Sequence, residues 1–129
     1  MMAGSRVVGT SLGIEPFPTE EFSEELGNAF DNREIGTRIE LENEKIRVWS
    51  IDLAPGERVP FHCHALTYFW ICMDAGRANI RRDDGTIELY EFPPGETRFS
   101  ELSEDSVLIH DLENVGDTAM RFVTVELLT

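Results

Sequence analysis

The stretch PFHCHALTYFW, residues 60–70, places two of the three histidines in this chain one residue apart. Residues i and i+2 of a β-strand point to the same face of a sheet, so His62 and His64 share a face and Cys63 points away. Two neutral imidazoles on one face are able to bind one cation. The stretch therefore predicts a metal site on a strand, or two histidines that are hydrogen-bonded within a β core.

The residues around this stretch alternate short apolar runs with turn signals. APGE at 54–57 and PPGE at 93–96 are turn sequences, and Asp84-Gly85 lies between two apolar runs and predicts a hairpin. Many short strands with frequent turns predict an all-β sandwich or barrel. The nine predicted strands are Thr37–Glu42, Lys45–Leu53, Val59–His64, Thr67–Met73, Arg77–Arg82, Thr86–Phe92, Glu96–Phe99, Val107–His110 and Ala119–Leu128.

The N-terminal third of the chain has a different pattern. Residues 1–18 are rich in glycine, serine and proline, which predicts an arm or loop. Within TEEFSEELGNAF, residues 19–30, apolar side chains recur every four residues and predict a short helix docked on the main body. These side chains are Phe22, Leu26 and Phe30. We expect an N-terminal arm with a short helix over residues 1–43 and a β-barrel over residues 44–129.

Charge and cysteine content restrict the partners and the compartment. The chain has 129 residues, which suits one domain, and its net charge is −14. A strongly negative protein is repelled by phosphate backbones and anionic lipids, so we expect neither a nucleic-acid nor a membrane partner. Its two cysteines, Cys63 and Cys72, lack CxxC spacing and suit free thiols. With no segment that looks like a signal peptide or a membrane helix, the chain is expected to be cytoplasmic.

The spacing of glycines around the histidine pair adds a further signal. Gly56 is followed by five residues, then by HCH at 62–64 and later by Gly76. This order resembles the first motif of the cupin family, which reads glycine, five residues, H-x-H, and later a glutamate and a glycine. The glutamate of that motif would fall at Tyr68 or Phe69, so the carboxylate is missing here.

The third histidine begins a second motif. HDLEN, residues 110–114, reads H-x-x-x-N at the end of a predicted strand. It resembles the second cupin motif, which Gly95 opens. The interval from Gly95 to His110 is four residues longer than the family pattern, which predicts a short insertion in SELSEDS, residues 100–106. The resemblance covers about residues 44–128.

The resemblance implies a fold and a ligand set. The cupin fold is a double-stranded β-helix, a jelly-roll barrel with a pocket inside one end. In metal-binding cupins the matching histidines line that pocket, so His62, His64 and His110 are the implied ligands of one divalent transition metal. Three imidazoles leave coordination positions open and suit Fe, Ni, Zn, Mn or Cu. Three-histidine cupins without the glutamate include dioxygenases.

Three further side chains are candidates for contact with a substrate. Tyr68 is the candidate catalytic group and a candidate substrate contact, and Trp70 and Arg98 are candidate substrate-binding residues. The competing interpretation is core packing for the aromatic residues and a surface ion pair for Arg98. An arginine that faces a pocket would favour a carboxylate substrate.

The sequence supports three hypotheses about function. The first is a metal-dependent, dioxygenase-like enzyme that acts on a small organic acid or an amino-acid derivative. The second is a non-enzymatic cupin that binds a small molecule, and the third is a metal-free structural barrel. Small cupins commonly dimerise, so the resemblance also implies a homodimer.

Overall fold

The computed structural model describes residues 6–129 and shows ten strands in two antiparallel five-stranded sheets. The first sheet has the order β1-β7-β6-β9-β4 and the second has the order β2-β3-β10-β5-β8. The strands are β1 (Thr10–Pro16), β2 (Arg38–Glu42), β3 (Ile46–Leu53), β4 (Arg58–His64), β5 (Tyr68–Asp74), β6 (Gly76–Arg81), β7 (Thr86–Phe92), β8 (Thr97–Ser100), β9 (Leu108–Asn114) and β10 (Met120–Leu127).

The all-β prediction is confirmed, and each of the nine predicted strands corresponds to one of β2 to β10. The hairpin predicted at Asp84-Gly85 joins β6 to β7. Gly85 has a φ of 87°, a left-handed conformation that glycine adopts without steric cost, and the Asp84 carboxylate accepts a hydrogen bond from the backbone N–H of Thr86.

Two sequence predictions were wrong. The segment predicted as an arm or loop contains β1, Thr10–Pro16, which pairs with β7 along the edge of the first sheet. His110 was predicted at the end of a strand, but β9 continues to Asn114 and places His110 inside it. The predicted boundary at residue 43 therefore leaves two sheet-forming strands, β1 and β2, on its N-terminal side. The division into an arm over residues 1–43 and a barrel over residues 44–129 stays a prediction.

The helical segment begins and ends close to the predicted residues. It consists of a 3-10 turn at Thr19–Phe22, the α-helix α1 at Ser23–Asn28 and a second 3-10 turn at Ala29–Asp31. Phe22 packs edge-to-face on Phe61 of β4 with 5.6 Å between ring centroids. Phe30, the last residue of the predicted apolar stripe, is exposed beneath the guanidinium of Arg33.

The hydrophobic core lies between the two sheets, where inward-facing residues of neighbouring strands meet. On β10 the inward positions alternate with exposed or half-buried ones, as expected for a strand with one buried face. The core cluster consists of Ile51, Leu53, Val59, Cys72, Ala78, Phe92, Met120 and Phe122.

Gly76 packs closely against Met120 of β10. A Cβ added to Gly76 would lie 2.8 Å from the sulfur of Met120, whose side chain is almost fully buried. We expect Gly76→Ala to lower the free energy of unfolding by about 1–3 kcal/mol, because overpacking forces buried side chains out of their preferred rotamers. Urea unfolding of the variant measures this loss.

Gly27 provides the matched control for Gly76. It lies within α1, and nothing approaches a Cβ added there within 4 Å. Gly27→Ala is expected to be neutral or to stabilise the protein by up to about 1 kcal/mol, because alanine favours helix. Equal stability of the two variants would contradict the tight contact between β6 and β10.

Candidate metal centre and its cavity

The three histidines of the chain meet on two adjacent strands. His62 of β4 and His110 of β9 are register partners, and His64 lies two residues further along β4 on the same face. Their Nε2 atoms converge: His64 Nε2 lies 3.1 Å from His62 Nε2 and 3.1 Å from His110 Nε2. The predicted grouping of these three side chains is therefore confirmed as a geometric cluster.

The hydrogen bonding of His62 determines which of its nitrogens faces the cluster with a lone pair. His62 Nδ1 lies 2.7 Å from the carbonyl oxygen of Pro60, which accepts a hydrogen bond from the protonated Nδ1. In the neutral ring Nε2 is then unprotonated. A proton on His64 Nε2 satisfies only one of the two 3.1 Å contacts that this nitrogen makes. A cation at the centre would satisfy all three lone pairs at once.

The environment keeps the three imidazoles neutral. Burial lowers the pKa of His62 to about 4. Burial also lowers the pKa values of His64 and His110 well below the ordinary histidine value, and the neighbouring histidines add to this shift. Neutral imidazole is the form that binds a metal. The donor set therefore fits a divalent transition metal, and within residues 6–129 no carboxylate joins the cluster.

Cys63 takes no part in the cluster although it lies between two of its histidines. Its side chain is buried and forms no disulfide, and it points to the other face of β4, as the sequence predicted. Burial raises the pKa of this thiol, which keeps it protonated at neutral pH.

Tyr68 packs directly against the histidine cluster. Its ring stacks on His64 with 4.2 Å between centroids and 12° between planes, and its hydroxyl is hydrogen-bonded to Ser100. Burial, together with the charge of Glu126, raises the pKa of Tyr68 to about 12. Tyr68 is therefore a neutral phenol at physiological pH and suits hydrogen bonding better than metal ligation.

The histidines line a cavity of about 460 Å³ between the sheets, a volume typical of small-molecule sites. Most of its wall is apolar, and part of the hydrophobic core forms its floor. Trp70 contributes to the wall and contacts Phe92 and Phe122 edge-to-face at 5.5 and 5.6 Å. The apolar lining residues are Ile35, Ile51, Val59, Trp70, Ile80, Phe92, Phe99, Leu108, Leu112 and Phe122.

The cavity also contains two arginines, of which the sequence interpretation had singled out only Arg98. Arg98 lines the cavity beside Trp70, its register partner on β5, and the buried carboxylate of Glu96 accepts a 2.9 Å hydrogen bond from its Nε. Arg82 was not predicted as a cavity residue, although it follows the inward-facing Ala78 and Ile80 at intervals of two residues. That alternation is the sequence signal that would have identified it.

A network of charged side chains supports the two ligand-bearing strands from the side away from the cavity. Asp111, next to His110, is fully buried and accepts hydrogen bonds from Arg58 Nε at 2.7 Å and Arg81 Nη1 at 3.0 Å. Arg58 also pairs with Glu25 of α1, whose carboxylate accepts a 2.7 Å hydrogen bond from the backbone N–H of Phe61. The helical segment is thus tied to β4 one residue before His62.

Comparison with solved structures shows which fold this arrangement belongs to. A cupin domain from Bordetella pertussis Tohama I superposes with a TM-score of 0.61, at 21% identity, over 70% of this chain and 88% of its own. A double-stranded β-helix protein from Klebsiella pneumoniae gives 0.57, at 18% identity, over 86% and 87%. The chain has the cupin fold.

Other comparisons agree with this fold assignment or add nothing to it. A cupin-family protein of Methanocaldococcus jannaschii with the double-stranded β-helix superposes with a TM-score of 0.54, at 19% identity, over 74% of this chain and 84% of its own. No family model matches the sequence, and no curated protein matches it. None of the helices in residues 6–129 is long and apolar enough to cross a membrane.

Proposed function

We propose that this cupin-fold chain is a metal-dependent, dioxygenase-like enzyme that acts on a small organic acid or an amino-acid derivative. The observation that supports it best is the convergence of three neutral imidazoles on the wall of the cavity, where His64 Nε2 lies 3.1 Å from the Nε2 atoms of both His62 and His110. His62, His64 and His110 would hold one divalent transition metal. Bound iron would supply redox chemistry with dioxygen, whereas bound zinc would supply Lewis-acid chemistry.

The residues around the cluster have separate roles in this proposal. Tyr68, as a buried neutral phenol, donates a hydrogen bond to the substrate, and Trp70 packs against its apolar part. Arg98, which lines the same cavity, contacts a polar end of the substrate. The cavity wall and the aromatic packing exclude water from the remaining surface of the substrate.

Oxygen consumption tests the proposed reaction. The chain is loaded with Fe(II) and given a panel of small organic acids and amino-acid derivatives in an oxygen electrode. We expect uptake that requires both iron and one class of substrate, and that is absent with zinc and in a His64→Ala variant. Absence of substrate-dependent uptake across the panel with fully iron-loaded protein would contradict the dioxygenase-like assignment.

Tyr68→Phe separates the role of the phenol from that of the metal ligands. The variant keeps the stacked ring, so we expect zinc affinity to stay within about twofold and the free energy of unfolding to fall by only about 1 kcal/mol, the value of one hydrogen bond. Turnover or substrate affinity should fall. A tenfold loss of zinc affinity, measured by chelator competition, would instead make the tyrosine oxygen a ligand.

The missing glutamate and the apolar wall favour a second candidate, a non-enzymatic cupin that binds a small molecule. A further alternative is a metal-free structural barrel. A bound organic molecule in purified protein without metal would support the binding role. A protein that takes up neither metal nor organic ligand would support the structural role.

The proposal extends to assembly and compartment. β2 is an edge strand whose Ile39 and Leu41 are exposed, which suits a homodimer that covers them. Sedimentation velocity tests the dimer: a single monomeric species at micromolar concentration would contradict it.

The two buried cysteines form no disulfide, which suits the cytoplasm.

A further inference from the structure

The wall of the cavity carries a cation directly beside the histidine cluster. The backbones of Arg82 and His110 form an antiparallel bridge, and both side chains line the cavity. Side chains of directly opposed residues in an antiparallel pair lie on the same face, with Cβ atoms about 5 Å apart. Arg82 is therefore the cavity arginine whose Cβ lies next to that of a candidate metal ligand, and its side chain lines the same cavity.

Most of the donors of Arg82 are free to meet a ligand. Its Nη2 donates a 2.8 Å hydrogen bond to Glu88, which also lines the cavity, and the described part of the chain accepts no other hydrogen bond from this side chain. A guanidinium has five N–H donors in a planar fork that matches a carboxylate. Glu88 holds Arg82 in place while leaving donors for a second anion.

Arg98 is engaged differently. Its Nε donates to the buried carboxylate of Glu96 at 2.9 Å, its Nη2 lies 2.9 Å from the same oxygen, and its side chain is 46% exposed. It lies opposite Trp70 on the neighbouring strand β8, whereas Arg82 forms its bridge with His110 itself. The anion site next to the cluster is therefore that of Arg82.

The remainder of the cavity fits an apolar group. Trp70, Phe92 and Phe122 form a mutual edge-to-face cluster, with Phe92 and Phe122 centroids 5.0 Å apart. Flat apolar groups pack well against such rings. The cavity therefore combines the cationic fork of Arg82 with an aromatic surface.

We propose that the ligand of this cavity is a carboxylate with an aromatic or similarly bulky apolar body, and that Arg82 binds the carboxylate. This inference rests on the proposed function in one respect, since both place the ligand in the same cavity. It does not require bound metal. It names the substrate class of the site and identifies Arg82 as a specificity-determining residue.

The test uses metal-free full-length protein, so that a metal cannot itself recruit the carboxylate. Binding of 3-phenylpropionate and of its neutral amide, 3-phenylpropionamide, is measured by calorimetry. We expect the acid to bind about 10- to 100-fold more tightly than the amide, because a charge-assisted hydrogen bond contributes about 1.5–3 kcal/mol. Equal affinities, or no binding of the acid at millimolar concentration, would overturn the proposal.

Variants identify the responsible arginine. Arg82→Gln combined with Glu88→Gln removes both charges of the pair without leaving one of them unpaired, and it should abolish the preference for the acid. Arg82→Lys keeps the charge but loses the planar fork, so part of the preference should remain. Circular dichroism and thermal unfolding confirm that each variant is folded.

Arg77→Gln is the matched control. Arg77 lies on β6 and pairs with Glu91 of β7, as Arg82 pairs with Glu88 of the same strand, but Arg77 lies outside the cavity. Its replacement should leave the acid preference intact. A preference that survives in the Arg82→Gln/Glu88→Gln variant, or that is lost only in Arg98→Gln, would overturn the assignment to Arg82. Because metal is absent throughout, these outcomes are independent of the metal proposal.

Discussion

Replacing Asp111 by alanine is expected to lower the free energy of unfolding by about 3–5 kcal/mol. The carboxylate is fully buried and is the shared acceptor of Arg58 and Arg81, and it also accepts a 2.7 Å hydrogen bond from the backbone N–H of Arg81. Its removal leaves two partly buried guanidinium groups without their common counter-ion. Urea unfolding of metal-free protein measures the loss.

Glu113 provides the control for this prediction. It accepts one hydrogen bond, from Arg81 Nη2 at 2.8 Å, and its side chain is 27% exposed. Glu113→Gln should cost no more than about 1 kcal/mol, as is usual for solvent-accessible ion pairs. An Asp111→Ala loss as small as that of Glu113→Gln would show that the network contributes little to stability.

Replacing His64 by alanine is expected to lower the affinity for Zn²⁺ or Co²⁺ by more than about 100-fold. Its Nε2 lies 3.1 Å from the Nε2 atoms of both other histidines, so the substitution removes one of three ligands. Loss of a residue that only hydrogen-bonds to a ligand already lowers metal affinity about 10- to 100-fold, so loss of a ligand itself should cost more. Chelator competition and the Co²⁺ absorption spectrum measure the change.

Cys63→Ala is the control for this second prediction. Cys63 precedes His64 directly but faces away from the cluster. The variant should bind metal with the affinity of the parent, and its Co²⁺ spectrum should lack thiolate charge-transfer bands, as the parent spectrum should. An affinity loss in Cys63→Ala comparable to that in His64→Ala would contradict a site made of three histidines.

Turn residues between the strands, and the alternation of inward and outward side chains along each strand, explain why so much of the barrel could be predicted. Strands β2 to β10 are separated by glycine, proline and acidic turn residues, and their inward positions alternate. β1 was missed because TSLGIEP contains glycine and proline and all seven of its residues are exposed. β1 forms because it pairs with β7. This pairing buries none of the side chains of β1, so its sequence shows no alternation of apolar and polar residues.

The helical segment and β9 show where local patterns gave way to tertiary contacts. A continuous helix would place Phe30 on the stripe of Phe22, but the turn from α1 into a 3-10 turn at Ala29 leaves Phe30 exposed. The predicted strand ended at His110, but β9 continues to Asn114 because two polar residues beyond His110 are fully buried and hydrogen-bonded. Asp111 accepts hydrogen bonds from Arg58 and Arg81, and the Asn114 side chain donates to the carbonyl oxygens of Leu53 and Thr118.

The candidate site was predictable in part for the same reasons. The shared face of His62 and His64 follows from strand geometry alone. The meeting of His110 with His62 depends on the register of β4 and β9, which includes a bulge between Val59 and His62. Sequence spacing does not specify such a register, because the partner strands lie more than forty residues apart.

The metal content of untagged protein, purified without chelator, tests the central claim most directly. Elemental analysis by mass spectrometry is applied to the parent and to a His62→Ala/His64→Ala variant. The account predicts about one transition-metal ion per parent chain and almost none in a variant that remains folded. A parent that stays metal-free even after incubation with Fe²⁺, Mn²⁺, Ni²⁺, Cu²⁺ and Zn²⁺, or a variant that retains full occupancy, would contradict it.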